Sequence, residues 1–170
     1  APLTTWQPMS TRPVFGMATG VDGKSIFVAA GGGGGDVIRY LPGDTGKKPG
    51  TAIWKKTVDG DATAVAVTAT RVYLVGHYDH VCQDASLTPN TGGTGFNCRL
   101  NGPVHRHLAA FDLNGVIDPG FDAQANTPEG PDAVAVGPHA LYVGGNFTGV
   151  ADRAGTPPRS QNGFALYPGA

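Results

Sequence analysis

The feature that most limits the folds open to this chain is that it repeats itself. The segment Asp132–Val150 contains Asp-Ala-Val-Ala-Val, then Ala-Leu-Tyr-Val-Gly-Gly-Asn-Phe, and moving back 69 positions lays it without a gap on Thr63–Val81. Ala133-Val134-Ala135-Val136 falls on Ala64-Val65-Ala66-Val67, Leu141-Tyr142-Val143 on Val72-Tyr73-Leu74, Gly145 on Gly76, and Phe147 on Tyr78. A more divergent copy comes earlier, with Phe15-Gly16-Met17-Ala18 followed by Ile26-Phe27-Val28. Each copy holds two short apolar runs around a turn, the pattern of paired strands. A unit this small cannot bury its apolar face alone, so such copies must stack on one another.

Composition agrees with an all-β reading. The chain has 27 Gly and 14 Pro in 170 residues without collagen periodicity, which implies many turns. Its 40% hydrophobic content argues against disorder. No apolar run reaches the roughly 18 residues of a membrane-spanning helix, so no membrane insertion is expected. A net charge of -1 offers no electrostatic case for a nucleic-acid partner.

Read in order, residues 1–11 are the tail of a unit, 12–58 and 59–125 are full units, and 126–170 is a unit lacking its last strand. Trp6, Trp54 and Phe121 occupy one register position, and Tyr40, Phe111 and Tyr167 another. Recurrence at one register points to packing. In each head strand one face is bulky (Phe15/Met17, Val65/Val67, Val134/Val136) and the other small (Gly16/Ala18, Ala64/Ala66, Ala133/Ala135). Such faces interdigitate when sheets stack. Asp22-Gly23 and Asn114-Gly115 mark hairpin turns. Asp112, Asp118 and Asp122 read as turn-formers, and Asn146 as a turn-stabilising residue. Gly31–Gly35 is expected to be a flexible hairpin loop, because a strand at Asp36-Val37-Ile38 follows it instead of the helix that a phosphate cradle needs.

A repeat of roughly 50 residues with four short strands is the sequence sign of a β-propeller blade. The expected fold is therefore all-β, a single propeller segment of about three four-stranded blades. Propellers close with roughly four to eight blades. The remaining blades are thus expected from the same precursor or from another chain, in a larger or oligomer-completed propeller.

Leu141-Tyr142-Val143-Gly144-Gly145-Asn146-Phe147-Thr148, together with Leu108-Ala109-Ala110-Phe111-Asp112-Leu113-Asn114-Gly115 and Asp118-Pro119-Gly120-Phe121-Asp122, resembles the delta-60 repeat family of bacterial β-propellers. The likeness covers essentially the whole chain and is best from Arg106 to Val150. It implies propeller blades in an exported bacterial protein, often beside carbohydrate-binding or adhesive modules. Its recurring residues are structural, so it names a fold more than a function.

Function is expected where the copies differ. The second unit carries a long loop, 78–106, and the third a shorter one, 149–162, rich in Pro and Arg. Loops of about thirty residues are uncommon unless functional or stapled. Cys82 and Cys98 both fall in the first, where a disulfide would contribute roughly 3 kcal/mol and would place the protein outside the cell. The alternative is two free thiols in a cytosolic protein. Ala1-Pro2-Leu3-Thr4-Thr5 lacks the basic start and apolar stretch of a signal peptide, so the secreted reading takes the chain as mature or as part of a precursor.

The expected role is a non-enzymatic binding or scaffolding module that contacts a protein or glycan through these loops. Tyr78, Arg99, Arg106, Arg153 and Arg159 are its candidate partner surface. One alternative is a lectin-like module at a cell surface, using the recurrent aromatic residues as sugar platforms. Another is a metal-dependent lyase or hydrolase. His77, Asp79 and His80 leave one strand at the loop base while His105 and His107 enter the next, and imidazole with carboxylate suits zinc or another divalent metal. The simpler reading of that base is a solvated polar cluster with Asp79 paired to Arg106 or a histidine. No catalytic residue and no cofactor are assigned.

Overall fold

The computed structural model describes residues 10–41, 50–90, 95–126 and 128–169. Trp6 lies outside them. The described chain is all-β, with seventeen strands and no helix. Strands β1 (Val14–Thr19), β2 (Ile26–Ala30), β3 (Gly35–Tyr40) and β4 (Ala52–Val58) form an antiparallel meander. At its first turn the Asp22 carboxylate accepts bonds from the backbone of Lys24 and Ser25 and from the Ser25 hydroxyl. The Ser25 hydroxyl above all draws the Asp22 pKa down to about 2. The second unit gives β5 (Asp61–Val67) and β6 (Arg71–His77). After an excursion holding β7 (His80–Cys82), β8 (Leu87–Pro89), β9 (Phe96–Cys98) and β10 (Asn101–Val104), the chain returns as β11 (Leu108–Asp112) beside β6. Then come β12 (Gln124–Ala125), β13 (Pro128–Val136), β14 (Ala140–Phe147), β15 (Gly149–Ala151), β16 (Arg159–Ser160) and β17 (Phe164–Pro168).

Three sheets carry the repeat: β1-β2-β3-β4, extended at its edge by β7 and β10; β5-β6-β11; and β13-β14-β17. They pack in series because strand alternation gives the middle sheet two apolar faces. Val65, Val72, Leu74, Ala109 and Phe111 join Phe27, Ala29 and Val37 of the first sheet in one core. The intervening residues Tyr73, Val75, Leu108 and Ala110 join Leu141, Val143, Ala165 and Tyr167 of the third sheet in another. The head strands of the second and third units turn their bulky faces to the cores, whereas Phe15 and Met17 of the first are exposed. Val67 borders the first core, Val134 and Val136 border the second, and at Gly16 a Cβ would come within 2.9 Å of the Ala64 Cα. Trp54 and Phe121 both pack as the repeated register implies. Trp54 lies between the rings of Phe27 and Phe111, with centroids 6.0 and 6.3 Å away, and donates its indole N–H to the Leu113 carbonyl. Phe121 meets the Tyr73 ring edge-on at 5.3 Å.

Two expectations are corrected. The fourth strand of the second unit is reduced to one bridge, Phe111 to Ile117. The Asp112 carboxylate caps Asn114 and Val116, and that of Asp118 caps Gly120 and pairs with Arg71, so the segment bends too tightly to run as a strand. Asn146 stabilises no turn. It sits exposed within β14 opposite Gly130, and its amide donates to Glu129.

Candidate binding cleft

The long excursion of the second unit folds back as a stapled plate. Cys82 and Cys98 are joined, with 16 residues of separation and Cα atoms 5.2 Å apart. Val81 pairs with Val58, so β7 continues the first sheet, and the hairpin β8-β9 lies over the glycine-rich turn between β2 and β3. Here the sequence expectation of a flexible glycine loop needs correction. Gly32, Gly33 and Gly34 hold φ values of 98°, 88° and 89°, which residues with a Cβ rarely adopt. The turn is pinned from both sides. The Arg12 guanidinium donates to the Gly33 and Gly34 carbonyls, while the Asp61 carboxylate accepts the Gly32 N–H at 2.6 Å. Glycine is required for a second reason: a Cβ on Gly33 would lie 2.7 Å from the Phe96 ring, and one on Gly34 would lie 2.2 Å from Leu87. The glycines are the bed on which the stapled hairpin rests.

Between this bed, the hairpin and the ends of β5, β6 and β11 opens a cleft of about 360 Å³, lined among others by Asp59, Asp61, His77, Asp79, Phe96 and Asn97. His77 and His107 meet on its wall with rings stacked at 5.8 Å and 13°. His107 is the single described non-glycine residue with positive φ, 67°. That backbone turn is fixed by its N–H donating to Tyr78 O and its carbonyl accepting from Gly76 N. The His107 Nδ1 lies 3.0 Å from the Gly76 carbonyl, which can only accept, so Nδ1 carries the proton and Nε2 is the bare nitrogen of a neutral ring. Burial pushes its pKa below the usual value, against the opposing pull of that bond and of Asp79.

The five residues singled out as a metal set do not converge. His80 turns to Asp59, with Nδ1 2.8 Å from the carboxylate, and Asp59 also caps the N–H groups of Asp79 and His80. His105 is buried, its Nδ1 has no partner, and burial lowers its pKa while Asp122 opposes the shift. Asp79 is exposed and 3.6 Å from Arg106, the solvated pair of the simpler reading. Among the described residues no group of three or more His, Cys, Asp or Glu is placed to hold a metal ion. Asp79, His105 and His107 lie outside the strands and His107 holds φ at 67°, so strand alternation does not keep His105 and His107 on one face.

The expected partner surface is corrected at one residue. Tyr78 is 2% exposed, sits in the first core and donates its hydroxyl to Leu74 O. Arg99 pairs with Asp84 and Arg159 with Asp152, while Arg106 borders a second cleft of about 320 Å³ under loop 149–162, near Asn126 and Pro158. Of the lining residues, Phe96 and Asn97 fall in the expected contact loop 78–106 without having been singled out, and Asp59 and Asp61 lie outside it. An Asp-Gly-Asp whose last residue opens a head strand was the available signal, since two acids at the start of a buried strand must find backbone N–H groups or water. No protein-family model, curated protein or solved structure matches this chain.

Proposed function

We propose that the chain is a run of β-propeller blades, one per stacked sheet, in an exported protein, and that it acts as a binding module whose partner seats in the cleft beneath the stapled hairpin. The observation that carries this reading is the way the cleft is built. A disulfide, a glycine bed and the Asp59–His80 pair all hold its walls in place, and pre-organised walls lower the ordering cost of binding. The delta-60 likeness and the serial stacking support the propeller. The disulfide supports export. Three carboxylates and no Lys or Arg line the cleft among the described residues, so a partner segment with basic side chains fits best.

A fluorescent Arg-rich hexapeptide tests it by anisotropy, with a Glu-rich hexapeptide as control. The Arg-rich probe should bind, should weaken several-fold on Asp79→Asn, and should weaken further with salt. Equal binding of both peptides, or of neither, sinks the basic-partner reading. A lectin-like reading is favoured by one feature, the Phe96 ring beside Asn97 and Asn90 on the same wall, since sugars take an aromatic face with amide donors. Glycan-array hits lost on Phe96→Ala, with the exchange protection of β8-β9 retained, would favour it.

A further inference from the structure

The repeat register gives each sheet two defined faces. At the start of the series Met17, on the outer face of the first sheet, is 71% exposed, and at the end the forward face of the third sheet is open. On the first sheet the rows Gly16–Ala29–Val37 and Ala18–Phe27–Arg39 face forward, against the second sheet. On the second sheet the equivalent rows are Ala64–Val75–Leu108 and Ala66–Tyr73–Ala110, and the third sheet covers them. On the third sheet the same positions are Ala133–Gly144–Phe164 and Ala135–Tyr142–Leu166. Nothing among the described residues covers them: Phe164 is 55% and Leu166 48% exposed, where Leu108 and Ala110 at the same register are 1% and 0%. Within the patch the Tyr142 and Phe164 rings stack 6.2 Å apart.

We infer that this face of β13-β14-β17 is the seat of one further sheet of the same repeat, carried in the same polypeptide. The interface it continues states the chemistry of the occupant. Both forward faces that are covered meet a row built like Val65–Leu74–Ala109 or Val134–Val143–Ala165, with a large aromatic (Phe111 or Tyr167) beside it. The occupant presents that row. Size argues for a tethered sheet over a second copy. Three strands about 4.8 Å apart and the five residues of β17 paired along β14, at about 3.4 Å each, frame a face of roughly 14 by 17 Å, on the order of 240 Å² in projection, below the ~800 Å² per partner of a standard intermolecular interface. A tether supplies millimolar effective concentration, at which so small a face suffices. The inference shares the stacked-sheet reading of the preceding section and none of its ligand, so failure of peptide binding leaves it standing.

Tyr167 and Phe111 share a register, which allows a seamless extension: residues 112–169 joined a second time directly after Tyr167. The described chain has no free cysteine, so Leu166→Cys reports the face through its rate of alkylation by a maleimide. Val116→Cys, at a position 61% exposed, is the open reference, and Ala110→Cys is the covered one. In the unextended chain the Leu166→Cys thiol should react as fast as the Val116→Cys thiol. In the extended chain it should slow at least tenfold, toward the rate of the Ala110→Cys variant. Equal rates for Leu166→Cys in both chains overturn the inference, as does an added segment that proteases remove while the first 167 residues resist. Protection already present in the unextended chain and growing with protein concentration would overturn it too, in favour of a second copy.

Discussion

Replacing Gly33 by alanine probes the union of glycine turn and stapled hairpin on which the cleft depends. Two costs combine there. With φ at 88°, an L-residue stands in the left-handed region, at about 1–2 kcal/mol. The new Cβ would also lie 2.7 Å from the Phe96 Cε2 and 3.3 Å from its Cδ2. Aromatic rings relieve such contacts only by moving whole, and overpacking of this kind costs about 1–3 kcal/mol. Gly23→Ala is the matched control, because φ there is 64° and a Cβ would meet nothing within 4 Å. Urea unfolding should therefore show Gly23→Ala destabilised by about 1–2 kcal/mol and Gly33→Ala by about 2–5 kcal/mol. Hydrogen exchange should quicken in β8 and β9 for Gly33→Ala alone. If the two variants cost the same and the hairpin amides exchange at their original rate, the hairpin does not rest on the glycines, and the pre-organised cleft loses its support.

Three other outcomes are expected. Replacing Cys82 and Cys98 together by serine should remove about 3 kcal/mol in the chain-entropy model, read as a lower urea midpoint, with exchange protection lost first in β8-β9. Leu108→Ala, between the second and third sheets, should cost about 2–5 kcal/mol, whereas Phe164→Ala at the same register on the open face should cost under about 1 kcal/mol. Near-equal costs would refute the serial stack. Acid should weaken the fold in two stages. His105 and His107 have folded pKa values below their ordinary 6.5, chiefly through burial. The unfolded chain then binds more protons between those values and 6.5, so stability falls as pH drops below about 6.5. Asp22, at about 2 against 3.8, adds a loss only below about 3.8. Urea midpoints at pH 7.5, 5 and 3 resolve the two, and a His105→Gln/His107→Gln double variant should flatten the first.

How much of this was legible in the sequence follows from what repetition can encode. The unbroken apolar runs Val72–Val75 and Leu108–Phe111 announce strands buried on both faces, and the 69-residue offset says that such strands recur. Recurrence of Trp54 and Phe121 at one register marked them as packing residues, and their rings do fill the gaps between sheets. Repetition is silent about departures from it. The turn at Asp112–Gly120 looked like its counterpart in the first unit, yet its capping carboxylates curl it away from the sheet. The offset carried no warning, because capping is decided by the local backbone and not by the repeat.

The cleft shows the same limit more sharply. Histidines drew attention because their chemistry is conspicuous, but closeness in sequence at a loop base does not bring side chains together. Of the five proposed metal ligands, the fold stacks two, pairs one with Asp59, buries one elsewhere and leaves Asp79 in solvent beside Arg106. What the fold does assemble comes from three distant segments: an Asp-Gly-Asp leading into β5, a glycine turn after β2 and a stapled hairpin. The glycine turn read as a structural loop and the stapled excursion as a contact loop, and all three parts have structural roles. Asp61 fixes the glycine turn, the turn seats Phe96, and the disulfide holds the hairpin down. The residues that bound the cleft are therefore the same ones that stabilise its walls. A substitution that abolishes binding here cannot be assigned to the site until the hairpin is shown to remain docked, which is why Asp79, exposed and weakly paired, is the residue to change first.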